Sequence, residues 1–299
     1  MQQYVLRVCL LAGFFSFANG ALAQAGDPAV RIRILQTVDY PGAVLTILYG
    51  INNHGDSVGV FLDNTGALRG FVRNRMGQFV GPIRDPNDNA NYTLALGIIN
   101  YTQRVCGYYQ AGSNYHGFLF SDRTYSTFDV PGAVDTFLNG ENEAGYLVGG
   151  FTDSSGAESA FFEAGGIVMA FTVNSSTFNE AESINASNEI VGLYYDAGTA
   201  RYRGFLRDFS GNLTFPLDPA GSVSTAPKAI NNNGIVVGRY TDAVGKGHGF
   251  ILQLPDTYTS YDFPGATLTY INGINDSNII CGRYNDANGV IHGFIGQLR

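Results

Sequence analysis

The stretch Tyr261–Phe294, YDFPGATLTYINGINDSNIICGRYNDANGVIHGF, decides the fold, because the chain is built from imperfect copies of it. It holds an Asp-x-Pro-Gly turn, a Gly-Ile-Asn step, a branched or Cys residue before Gly, an aromatic, an Asp-x-x-Gly turn and a Gly-Phe. Registered on the Gly after the branched or Cys residue, six copies stand at Gly59, Gly107, Gly149, Gly192, Gly238 and Gly282, with gaps of 48, 42, 43, 46 and 44 residues. An Asn lies seven positions before each: Asn52, Asn100, Asn142, Asn185, Asn231 and Asn275. A small residue followed by Phe lies downstream, at Gly70-Phe71, Gly117-Phe118, Ala160-Phe161, Gly204-Phe205, Gly249-Phe250 and Gly293-Phe294. Six units in one phase leave no room for a second domain. Periods of this length mean solenoids, propellers or arrays.

Within a unit the pattern is that of strands. Runs such as Ile235-Val236-Val237 and Gly249-Phe250-Ile251-Leu252 are rich in β-branched and aromatic residues and are broken by Gly, Asn, Asp or Pro. No window sustains a 3.6-residue apolar period over three turns. Four strands fit each unit, which is the blade of a β-propeller. The chain ends at Arg299 just after the third strand of the sixth unit, and Arg31–Tyr40 reads as a fourth strand. The expectation is therefore an all-β, six-bladed β-propeller over residues 31–299, with four-stranded blades and the N-terminal strand completing the last blade. An open solenoid of the same units, which would expose its terminal edges, is the alternative. Cys106 and Cys281 take the place of valine in units 2 and 6 and read as small buried hydrophobes rather than a disulfide.

Residues 1–23 read as a secretory signal peptide: Arg7 is the only charge, an apolar run Val8–Phe17 follows, and Ala21-Leu22-Ala23 is a small-x-small cleavage site. Residues 24–30 form a short linker. The expected product is secreted or periplasmic, with no membrane span, since the apolar run is too short to cross a bilayer. Losing Arg7 leaves 16 basic and 25 acidic residues and a formal charge of −9. A net acidic chain with only two lysines, Lys228 and Lys246, argues against nucleic acid and anionic membrane surfaces as partners.

Three units carry His before Gly-Phe: His116-Gly117-Phe118, His248-Gly249-Phe250 and His292-Gly293-Phe294. With the upstream Gly-Ile-Asn and Val-Gly steps, residues 34–295 resemble the bacterial extracellular repeats of the HAF family, named for His-Ala-Phe at this point. Here Gly usually replaces the Ala, which only Ser159-Ala160-Phe161 keeps, and the Trp often found after the Phe is missing. The resemblance implies an exported, propeller-like protein and leaves its activity open.

Candidate chemistry falls into four groups. Asp-x-x-Gly turns begin at Asp63, Asp153, Asp242 and Asp286, with a shifted form at Asp196-Ala197-Gly198. An Asp here ordinarily bonds its own turn while Gly supplies the positive φ. If the strands run from axis to rim, these turns share a face with the crossovers carrying Asp39, Asp129, Asp262 and Asp85. That face would be ringed with carboxylates for a cationic partner or calcium, with Asp129 and Asp262 the candidate calcium ligands, although no contiguous calcium loop is present. His116, His248 and His292 occupy equivalent positions in separate blades and read as structural. Glu141 with Asp135, or Glu180 with Glu182, could be a glycosidase-like pair. Tyr240 and Tyr284, like Tyr108-Tyr109 and Tyr194-Tyr195, end second strands beside the acidic turns, where they could form a carbohydrate or peptide platform. No nucleophile elbow, phosphate loop, CxxC or HExxH occurs. The function read from sequence is a monomeric, non-catalytic binding or scaffolding module for a glycan or protein, needing no cofactor. Its ligand face would carry Asp63, Asp153, Asp242, Asp286, Tyr240 and Tyr284. The alternatives are an extracellular polysaccharide hydrolase or lyase with axial carboxylates, and a purely structural envelope protein.

Overall fold

The turn-punctuated β-branched and aromatic runs fold into strands alone, in a computed structural model that describes residues 30–100 and 103–299. The signal-peptide segment 1–23 and linker residues 24–29 lie outside the described residues. Among those described there are 24 strands, β1–β24, and no helix. They form six four-stranded antiparallel sheets, a six-bladed β-propeller. The first strand of each unit is the innermost: β2 (Leu45–Ile51), β6 (Thr93–Ile98), β10 (Asp135–Glu141), β14 (Asn179–Ile184), β18 (Ser224–Ile230) and β22 (Leu268–Ile274). Each touches the next around the circle, and β22 touches β2.

The sixth blade is assembled from both ends of the described chain. Strand β1 (Ile32–Val38) pairs antiparallel with β24 (Ile291–Leu298), from Ile32 opposite Leu298 to Val38 opposite Gly293. Its sheet order is β1–β24–β23–β22, where β23 is Ile279–Asn285.

The phenylalanine of every small-Phe step is fully buried: Phe71, Phe118, Phe161, Phe205, Phe250 and Phe294 all have 0% exposure. Truncating any one to Ala costs about 3–5 kcal/mol. Two glycine positions let these rings sit where they do. At the register position a Cβ on Gly107 would lie 1.9 Å from the Leu94 carbonyl oxygen and 3.0 Å from the Phe118 ring, and Gly149 meets Phe137 and Phe161 in the same way. Before the Phe, a Cβ on Gly70 would meet Ala95 at 2.8 Å, and one on Gly249 would meet Ile271 at 2.7 Å, both on the inner strand of the following blade. The small residue there is what lets neighbouring blades approach.

The repeated Asn ties blade to blade. Asn275 Oδ1 accepts the Ser277 and Ile279 backbone N–H groups at 3.0 and 2.9 Å, closing its own turn, while Nδ2 donates to the Asn52 carbonyl at 2.9 Å across the seam. Asn142, Asn185 and Asn231 donate likewise to the carbonyls of Asn185, Asn231 and Asn275. The belt weakens at the second blade, where the turn is one residue longer. There the Ile99 N–H bonds the Arg104 carbonyl, so Ile99 and not Asn100 holds the turn-closing position, and Asn52 Nδ2 reaches the Ile99 carbonyl at 3.5 Å. Cys106 and Cys281 are both free and buried, and burial pushes the Cys106 thiol up to about 12.

Candidate functional site

Each inner strand carries one residue more than its partner needs. The ladder slips between Leu48 and Gly50, Ala95 and Gly97, Leu138 and Gly140, Ala181 and Ser183, Pro227 and Ala229, and Ile271 and Gly273. The residues left unpaired are Tyr49, Leu96, Asn139, Glu182, Lys228 and Asn272. A bulge re-aims the side chain it carries, and all six line the central channel. Two cavities share this ring. One, of about 140 Å³, extends along the strand ends to the Asn belt. The other, of about 90 Å³, extends toward the strand beginnings, past Ile47, Leu94, Glu180 and Tyr270, and so toward the face bearing the crossovers. Its wall also includes Tyr108, Leu193, Arg239 and Arg283 from second strands.

The channel is polar on one side. Lys228 Nζ lies 2.5 Å from Glu182 Oε1, bridging the fourth and fifth blades. Burial is the largest influence on Glu182 and raises its pKa, with Lys228 opposing. Asn139 Nδ2 donates to Glu180 Oε1 and to the Ala181 carbonyl, both at 3.0 Å, and Asn272 Nδ2 donates to the Leu48 carbonyl at 2.8 Å. Burial pushes the Tyr49 hydroxyl up to about 12, against the pull of Arg283 and Arg239. The guanidinium carbons of Arg239 and Arg283 each stand 4.7 Å from the Tyr270 ring centroid, a cation–π arrangement. Tyr49, Leu96 and Leu94 make the opposite wall largely apolar.

On the crossover face of three blades, the residue before Gly-Phe clips together two acids of its own blade. His248 lies 2.8 Å from Asp262 through Nδ1 and 3.1 Å from Asp242 through Nε2. His292 lies 2.8 Å from Asp39 and 3.8 Å from Asp286. Arg203 does the same in the fourth blade, 3.1 Å from Asp196 and 2.8 Å from Asp218. His116 holds Asp129 at 3.0 Å, and Arg69 holds Asp63 at 3.0 Å. Tyr240 stacks on His248 with centroids 4.9 Å apart and meets Ser260 Oγ at 2.8 Å. Tyr284 lies parallel to Phe263 at 3.8 Å and packs on His292.

The acidic turns therefore share a face with the crossovers, with their carboxylates already engaged. Asp63 is held well below the usual carboxylate range by the Thr65 hydroxyl and the Ala67 N–H, and Asp153 is lowered chiefly by the Ser155 hydroxyl. Asp286 is lowered first by the Val290 N–H. Burial works to raise Asp242 but is outweighed by His248 and the Lys246 and Val244 N–H groups. Asp129 and Asp262 face histidines, and among the described residues no group of three or more His, Cys, Asp or Glu side chains is gathered that could hold a metal ion. Of the carboxylate pairs, Glu180 and Glu182 both reach the channel. Asp135 instead accepts the Tyr115 N–H at 2.9 Å, and Glu141 is paired with Arg104. The bulge ring, Arg239 and Arg283 were not legible as a site from the sequence. The available signal was the position three before the turn-closing Asn or Ile99, which reads Tyr, Leu, Asn, Glu, Lys and Asn through six otherwise similar units.

This architecture is shared with solved β-propellers. TolB from Acinetobacter baumannii superposes with a TM-score of 0.54 at 14% identity over 81% of this chain, which spans 65% of that protein's length. A putative TolB from Agrobacterium tumefaciens gives 0.53 at 10% identity, covering 84% of this chain and 89% of that one. The Aleuria aurantia lectin in complex with α-methyl-L-fucoside gives 0.55 at 10% identity, covering 85% and 93%. At these identities the likeness is one of fold alone. No protein-family model matches the chain, and no curated protein does. Among the described residues no helix is long and apolar enough to cross a membrane.

Proposed function

We propose that the chain is an exported, monomeric, non-catalytic binding propeller of the HAF-repeat type, taking a glycan or protein ligand into the axial channel from the crossover face. The supporting observation is the bulge ring. Six blades that repeat the same core phenylalanines and turn residues differ where an unpaired side chain meets the axis, and those differences converge on one cavity. Asp63, Asp153, Asp242, Asp286, Tyr240 and Tyr284 form the outer face around it, the carboxylates of Asp63, Asp242 and Asp286 prearranged by the clips described above and that of Asp153 by its own turn.

The test is a glycan and protein array probed with the mature chain, with and without calcium, beside a channel variant, Lys228→Met with Glu182→Gln, and a rim variant, Asp242→Ala with Asp286→Ala. Binding lost in the channel variant alone supports the axial site. Loss in the rim variant alone moves the site outward, and loss in neither removes both. A second reading, an enzyme acting on polysaccharide, draws on Glu180 and Glu182 sharing the cavity with Glu182 raised in pKa. Release of reducing ends or unsaturated products from acidic or neutral polysaccharides, abolished by Glu182→Gln, is the outcome that favours it.

A further inference from the structure

The axial cavity holds an arginine whose two terminal nitrogens find no acceptor. Arg283 is 2% exposed, lines the cavity of about 90 Å³, and has no hydrogen-bond partner at Nη1 or Nη2. It sits opposite Tyr270 in the β22–β23 ladder, and Arg239 of the preceding blade approaches the same phenol ring at the same distance. The charged residues of the cavity are Lys228, Arg239 and Arg283 against Glu180 and Glu182, an excess of one positive charge. Glu182 is matched by Lys228. An arginine stays protonated in a protein, and buried donors without acceptors are costly to leave open. A guest that brings its own acceptors removes that cost.

We infer that the axial cavity binds a carboxylate group, with Arg283 and Arg239 as its cationic clamp. A carboxylate presents two coplanar acceptors, the geometry a guanidinium fork matches best. The space suits a group of a few heavy atoms, and Leu94 and Leu96 in the same lining accept the carbon end. The carboxylate comes either as a small free acid or as the acidic end of a longer chain entering from the crossover face. This rests on the axial-site reading and names the chemistry of its ligand.

The experiment uses the mature full-length chain in calorimetry and thermal melts with sodium acetate, methyl glucuronide, methyl glucoside and a uronate-terminated oligosaccharide, against sodium chloride at equal ionic strength. Methyl glucuronide and acetate are expected to bind and to raise the melting temperature, while methyl glucoside and chloride do not. Arg283→Met is expected to weaken carboxylate binding at least tenfold without lowering the ligand-free melting temperature, because a buried charge whose terminal N–H groups lack acceptors is removed. An arginine with a purely structural role gives the reverse, a lower melting temperature with carboxylate binding unchanged. Should Arg283→Met not fold, Arg239→Gln is read instead, with the same tenfold loss expected. Tighter binding of the oligosaccharide than of acetate identifies the acidic chain end as the source; equal binding identifies the free acid. Equal responses to carboxylate and chloride, or undiminished binding by both variants, overturn the inference. If array binding still depends on the channel in that event, the axial site stands and only its ligand class falls.

Discussion

Asn275 stands at the seam, where the last blade meets the first, and replacing it separates two roles of the Asn belt. Asn275→Ala removes the Nδ2 bond to the Asn52 carbonyl and the Oδ1 acceptor for two N–H groups of its own turn. The lost bond is worth about 1 kcal/mol, and the two N–H groups left open cost about 1–3 kcal/mol each. Ser277 is exposed and recovers its bond from water, so the total is about 3 kcal/mol. At roughly 2–4 °C per kcal/mol for a domain of this size, the melting temperature should fall by roughly 6–12 °C. Asn275→Asp isolates the cross-seam bond, because it keeps an acceptor for the turn and turns a donor into an acceptor facing the Asn52 carbonyl. The comparison is Asn52→Asp, whose corresponding bond is 3.5 Å long and so barely a hydrogen bond. Calorimetry of both variants should show the larger loss for Asn275→Asp. Equal losses, or a larger one at Asn52, would refute the view that the side-chain amide holds the seam.

Other outcomes follow from features already described. Burial pulls His248 down, but its bonds to Asp262 and Asp242 win and its pKa is raised above 6.5. The folded state therefore prefers the protonated form, so its stabilising contribution is full below pH 6.5 and fades as pH rises through the folded value. Melting curves of wild type and His248→Asn should converge above that point, and a gap that widens with pH contradicts the assignment. Gly107→Ala forces a Cβ against the Leu94 carbonyl at 1.9 Å and should abolish soluble folded protein, whereas Gly66→Ala, at φ +85° with open space around it, should cost only about 1 kcal/mol; similar melting temperatures for the two would refute the packing argument. Phe161→Ala should destabilise by about 3–5 kcal/mol in denaturant titration. The buried thiols of Cys106 and Cys281 should resist a thiol reagent in the folded mature chain and both react in guanidinium.

Much of this architecture could be read from the residues, because a propeller core repeats its physics. Gly107 and its equivalents, the small-Phe steps and the Arg31–Tyr40 strand are each forced by close contact or by pairing, so they recur in recognisable form. The site is less legible for the same reason. A bulge has no sequence requirement of its own, so Tyr49, Leu96, Asn139, Glu182, Lys228 and Asn272 share no residue type to search for. Glu180 and Glu182 drew notice as carboxylates, but Arg239 and Arg283 did not, since their role depends on which blade faces them across Tyr270. The face clips were half visible. Histidines were found before Gly-Phe, while Arg69 and Arg203 perform the same task without resembling them. In the second unit, counting back to Asn100 missed that one extra turn residue hands the closing position to Ile99.

The bulges also separate what the ring needs to stand from what it can recognise. A side chain outside the ladder owes nothing to strand register, although Asn139, Asn272 and the Lys228–Glu182 pair still tie neighbouring blades together. Tyr49 and Leu96 can be exchanged singly and Glu182 with Lys228 as a pair, each contributing its own sector of the bore, while the phenylalanines and glycines behind them stay untouched. The lining of the bore can thus change over a handful of codons without a new fold.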